Sequence, residues 1–253
     1  MIPFTSFILV ICALLTAYVI NYLSDILPLT VEDDEEPPAN GAICLTCHAR
    51  RSWMDFLLLR PCSTCGSKTP LRHGVVLVAM PFLFLFGFYY PPQGLNPLLY
   101  IFILVYFALV VIIDIEHRIV LRILTLIGLA AALIAGSQMH GLTLALLGCA
   151  AGLFLMILIY IAGIFFSKWM SRRRGEEVDE ALGAGDVYIS AITGLLMSFP
   201  AVFSALLLAI ILGGMVSLVF VVFMLIRKEY KSFVPIPYTP FIILATIFLM
   251  YRG

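Results

Sequence analysis

Two aspartates stand where the sequence is otherwise almost free of charge. Asp114 closes the run Val110-Val111-Ile112-Ile113, and Asp186 follows Gly183-Ala184-Gly185 and opens a further apolar stretch. Every other carboxylate falls in a segment that reads as a polar loop. An ionisable side chain at membrane depth is costly and points to function. Two carboxylates brought together in a low-dielectric pocket cannot both ionise easily, so the pair shares a proton. A water between them is then activated while the protonated partner polarises a peptide carbonyl, which is aspartic protease chemistry. Gly183 and Gly185 fit that chemistry, because glycine permits a positive φ or a close backbone approach by an extended substrate. The competing reading makes Asp114 and Asp186 ordinary interfacial residues paired with Arg118, Arg122 or Arg172. Glu116 and His117 read as a charged turn, solvated or salt-bridged.

Four of the six cysteines form Cys44-x2-Cys47 and, 14 residues on, Cys62-x2-Cys65. Paired knuckles of this kind offer four thiolates to a tetrahedral Zn²⁺. Two disulfides are the alternative, disfavoured if the loop lies on the reducing side of a membrane. The pattern shows no fifth ligand or water site, so the metal reads as structural, compacting a loop of about 50 residues. His48, beside Cys47, is a candidate substitute ligand. Cys12 and Cys149 lie within apolar runs and read as packed, inert thiols. The run Glu32-Asp33-Asp34-Glu35-Glu36 reads as a solvated linker.

The elements that must carry these residues follow from composition. The chain has 253 residues, 62% hydrophobic and only 12% charged, with a mean hydropathy of +1.09. A soluble domain carries roughly twice that charge. A soluble enzyme, a disordered chain and a secreted disulfide scaffold are excluded. The expected fold class is an all-α polytopic membrane protein with a small cytosolic zinc-binding loop. A crossing helix needs about 20 apolar residues. Eight candidate spans result: Pro3 to Leu23, then 74–90, 95–113, 119–136, 142–166, 187–199, 201–226 and 236–251. No Lys or Arg precedes the first, which therefore reads as a span rather than a cleaved signal. The expected organisation is a first span over 1–23, a tetracysteine loop over 24–73 and a seven-span domain over 74–253. If the spans alternate, 14 of the 15 basic residues fall on one side. The positive-inside rule then puts both termini outside, and the cysteine loop, Asp114 and Asp186 toward the cytosol. The 15 Lys+Arg balance the 15 Asp+Glu, which gives no reason to expect a nucleic-acid partner.

Taken together, these features resemble the bacterial type IV prepilin peptidases, also called type IV leader or pseudopilin peptidases. The resemblance covers almost the whole chain. Ile113-Asp114-Ile115-Glu116-His117-Arg118-Ile119 is similar to the family's first aspartate motif, and Leu182-Gly183-Ala184-Gly185-Asp186-Val187 to its GxGD motif. Pro235-Ile236-Pro237-Tyr238-Thr239-Pro240 resembles the proline-rich start of its final span, usually written I-P-F-G-P. The resemblance implies Asp114 and Asp186 as the catalytic pair, and Cys44, Cys47, Cys62 and Cys65 as zinc ligands. It also implies prepilin or pseudopilin substrates held in the bacterial inner membrane, cleaved just after a glycine where a basic leader meets an apolar helix. The family's second activity is S-adenosylmethionine-dependent methylation of the new N-terminus. The chain departs from the pattern at Ile26, where arginine is usual, at Leu121 for proline and at Tyr188 for lysine. The spacer between its CxxC pairs is also shorter than in members with both activities. These departures weaken the implied methylation and leave the aspartates intact.

Three other readings compete. A proton-coupled transporter using Asp114 and Asp186 would need a polar path, yet the fifth and seventh spans are almost wholly apolar. An inactive assembly scaffold would have no use for an intact acid pair. The presenilin type of intramembrane protease shares GxGD, but it uses a Tyr-Asp first motif and a Pro-Ala-Leu motif absent here.

Overall fold

In lipid a backbone has no water to bond, so long apolar runs close their hydrogen bonds within helices. The computed structural model describes residues 2–28, 42–44, 46–47, 49–174, 183–227 and 237–252. Its elements in chain order are α1 (Ile2–Ile26), β1 (Ala42–Ile43), β2 (Arg50–Arg51), α2 (Trp53–Leu57), α3 (Leu71–Tyr89), α4 (Pro97–His117), α5 (Arg122–His140), α6 (Leu142–Arg174), α7 (Ala184–Met197), α8 (Val202–Ile226) and α9 (Thr239–Met250). The strands form one antiparallel ladder, Ala42 opposite Arg51 and Ile43 opposite Arg50. Among the described residues six helices, α1, α3, α4, α5, α6 and α8, are long and apolar enough to cross a membrane. The other two expected spans, α7 and α9, are apolar but have only 14 and 12 residues. At 1.5 Å per residue they reach about 21 and 18 Å, short of a hydrocarbon core of about 30 Å.

Hydropathy locates these helices but misplaces their ends. The run at 95–113 continues as helix to His117, so Glu116 and His117 follow Asp114 on its last turns and do not lie in a charged turn. The run at 119–136 starts late, at Arg122. Arg118 takes a φ of 55°, and Leu121 is the extended N-cap of α5. The run at 142–166 extends as helix to Arg174. In each case hydrogen bonding, rather than side-chain polarity, decides where a helix stops.

The chain divides into two units, with the break inside α4 between Ile113 and Asp114. In the first, α1 packs on α3. Ala13 and Ala17 are wholly buried and let the helices approach, with Ile20, Val76 and Met80 filling the core. The cysteine loop is seated on these helices by Phe56 of α2, whose ring lies edge-on to Tyr22 and His73. The Tyr18 hydroxyl also donates to the Leu57 carbonyl at 3.0 Å. At the same end Asp25 is 3% exposed and paired with Arg72, which also donates to Ser24 at 2.9 Å. His73 Nε2 lies 3.4 Å from the same carboxylate. Asp25 is therefore not the loop carboxylate that its sequence context suggests. α1 outlasts its apolar run by one turn and carries Asp25 into contact with a cation.

The second unit is arranged around short α7, which packs against α5, α6, α8 and α9. Its burial runs almost unbroken from Ile189 to Met197, and glycines permit it. A Cβ at Gly148 would sit 2.2 Å from the Gly194 carbonyl oxygen, and one at Gly136 would sit 2.0 Å from that of Leu195. Backbone meets backbone at these points. Polar bonds add to the packing: Thr193 and Thr246 share a buried 3.0 Å hydrogen bond between α7 and α9, and Ser190 donates to the Gly152 carbonyl at 3.2 Å.

Candidate active site and metal-ligand cluster

Asp186 sits in the first turn of α7, where backbone N–H groups lack intrahelical acceptors. Its Oδ2 accepts from the Gly183 N–H at 3.2 Å, closing half of a capping box. Its Oδ1 accepts from the Thr239 hydroxyl at 2.8 Å. Asp114, on the last turns of α4, is near enough for its charge to interact with that of Asp186. Both aspartates are 6% exposed and Thr239 is wholly buried. Asp114 Oδ2 and the Tyr238 hydroxyl are buried without a hydrogen-bond partner among the described residues. Tyr238 lies close enough to Asp186 to feel its charge.

Two carboxylates separated by 72 residues of sequence are thus brought near each other, with one threonine bonded to Asp186. The alternative of interfacial ion pairs does not describe them. Among the described residues neither forms an ion pair with Arg122 or Arg172, and Arg118 acts on Asp114 only through its field. The glycines have a different role from the one expected. Gly183 is an N-cap at φ −77°, and Gly185 lies inside α7, where a Cβ would meet Val120 at 2.4 Å. No positive φ is used, and the close approach is by Val120 rather than by an open face. Thr239 escaped the sequence reading as a site residue. Its only signal was position, at the start of the proline-marked last helix.

In the other unit the four cysteine Sγ atoms lie within 4.8 Å of one another. Cys44 and Cys65 are 3.6 Å apart, and Cys47 and Cys62 are 3.8 Å apart. All four are free thiols, which excludes the disulfide alternative in this structure. A tetrahedron with Zn–S bonds of about 2.3 Å has S···S edges of about 3.8 Å, so the donor set fits such a metal. Each knuckle is shaped by its backbone: Cys44 N–H bonds Ala49 O at 3.0 Å and Cys62 N–H bonds Ser67 O at 2.9 Å. Gly66 takes a φ of 71° to complete the second. Ser67, also missed from the sequence, puts its hydroxyl 3.2 Å from Cys44 Sγ and 3.1 Å from Cys65 Sγ. Burial alone would push the Cys44 thiol up, but the Ser67 hydroxyl and the Thr46 and Cys47 backbone outweigh it and hold it at about 5. In the same cluster the neighbouring thiols push Cys47 up to about 12. His48 and the acidic run at 32–36 lie outside the described residues. Cys149 is partly buried, and Cys12 faces outward on α1 rather than packing inside.

The fold and the acid pair define a polytopic membrane protein with two carboxylates meeting at helix ends. Residues 100–218, which hold both aspartates, match the type IV leader peptidase family. The cysteine loop and Thr239 fall outside the matched residues. Comparison with curated proteins and with solved structures gave no match.

Proposed function

We propose that the chain is an intramembrane aspartic endopeptidase. It removes the basic leader from type IV prepilins or pseudopilins, cutting after a glycine at the cytosolic face of the bacterial inner membrane. What supports this reading is the nearness of Asp114 and Asp186 within the segment that matches a leader peptidase family. In this reading α7 and α9 are the sixth and eighth spans. Their shortness sets their first turns, and so Asp186 and Thr239, below the membrane surface, where a substrate helix ends and its leader begins. A water held between the aspartates loses a proton to the ionised carboxylate as its oxygen adds to the scissile carbonyl carbon. The protonated carboxyl hydrogen-bonds the carbonyl oxygen as charge develops there. Collapse of the tetrahedral adduct breaks the C–N bond, and the leaving amine takes up a proton. Gly183, the N-cap, and Gly185, in the first turn of α7, fix Asp186 in place. Cys44, Cys47, Cys62 and Cys65 would hold a structural Zn²⁺, which supplies cross-linking to the loop and no chemistry to the reaction.

The test is cleavage of a membrane-inserted prepilin by the full chain in vesicles. Asp114→Asn and Asp186→Asn should each lower the rate at least about a hundredfold, the range of general acid–base catalysis, without loss of insertion. Normal processing by either variant would sink the pair. Including S-adenosylmethionine and weighing the product decides methylation in the same experiment.

A further inference from the structure

The contacts around the acid pair are unequal, and the inequality tells the two carboxyls apart. Asp186 accepts from the Gly183 N–H and the Thr239 hydroxyl. Both partners act as donors, and donors favour an ionised carboxylate. Asp114 receives none from the backbone, and its Oδ2 is buried without a partner among the described residues. The one hydrogen of the Thr239 hydroxyl is spent on Asp186, which leaves Asp114 without that donor, and a buried carboxyl with no donor favours its protonated form.

We infer that Thr239 is a positioning residue that polarises the pair, keeping the shared proton on Asp114 and the negative charge on Asp186. The inference rests on the proposed peptidase reading and adds roles to it: Asp186 is the base that takes the proton of water, and Asp114 is the acid that bonds the substrate carbonyl.

The experiment compares the full chain with Thr239→Val, which keeps shape without the hydroxyl, Thr239→Ser, which restores it, and both aspartate-to-asparagine variants. All are reconstituted in vesicles. Thr239→Val should lower kcat by about tenfold or more with little change in KM, and Thr239→Ser should recover most of it. Infrared spectra of the same samples should show a protonated-carboxyl band that disappears in Asp114→Asn, survives in Asp186→Asn and shifts in Thr239→Val. Should Thr239→Val fail to insert, Thr239→Ala serves as the hydroxyl-free variant. Wild-type kcat without the hydroxyl, serine no better than valine, or a band lost with Asp186 instead of Asp114 would each overturn the inference. Activity retained by both asparagine variants would instead overturn the peptidase pair itself, so the two failures are distinguishable.

Discussion

A buried carboxylate is tolerated only when something nearby answers its charge, and this chain answers in two ways. Asp25 is answered by a cation: it is paired with Arg72 and lies beside His73. Asp186 is answered by donors that carry no charge. The consequences of mutation differ accordingly. Asp25→Leu strands the Arg72 guanidinium in a buried site and should cost about 3 kcal/mol or more. A lowered melting temperature and faster proteolysis of the cysteine loop would report it, while the double variant Asp25→Leu/Arg72→Met should recover part of the loss. Asp186→Asn keeps shape and leaves no cation unpaired, so stability should change little while activity disappears. Asp114 and Asp186 were legible in the sequence because charge is scarce around them. Asp25 was not, because it stands at the polar end of a span, where a solvated carboxylate is common. Thr239 was not, because a threonine at a helix start is ordinary and its partner is 53 residues away.

At the scale of elements, the acid pair depends on how closely α7 is held. Gly148 and Gly194 face each other with no room for a side chain, since a Cβ on either would lie 2.2 Å from the other's carbonyl oxygen. Gly148→Leu should therefore push α6 from α7, displace Asp186 and abolish cleavage together with detergent stability. Gly163, with open space around it, is the control: Gly163→Ala should leave both intact. The cysteine loop is a separate element with its own test. Chelation, or Cys44→Ser, should remove bound zinc and expose the loop to protease. Retention of full zinc content by Cys44→Ser would contradict the four-sulfur site. Helix positions could be read from hydropathy, because lipid demands long apolar runs. Helix ends could not. They depend on caps such as Leu121 and Gly183 and on the positive φ of Arg118, which leave little trace in average polarity.

For the molecule as a whole, the asymmetry of basic residues sets the expectation of orientation. A periplasmic-active reporter fused after Arg252 should be active, and the same reporter inserted in the cysteine loop should be silent. The reverse pattern would turn the proposed site to the wrong face. α7 and α9 meet the acid pair with their first turns, and a helix N-terminus carries about half a positive charge from its aligned peptide dipoles. Two such termini approach the one negative charge assigned to the pair. The countercharge is thereby built into the backbone, where it cannot be exchanged or washed out. Mobile ions screen over about 8 Å in cytosol, but they have little purchase on dipoles fixed inside the protein. Cleavage should accordingly be nearly independent of ionic strength once substrate is bound, with any salt sensitivity confined to capture of the basic leader.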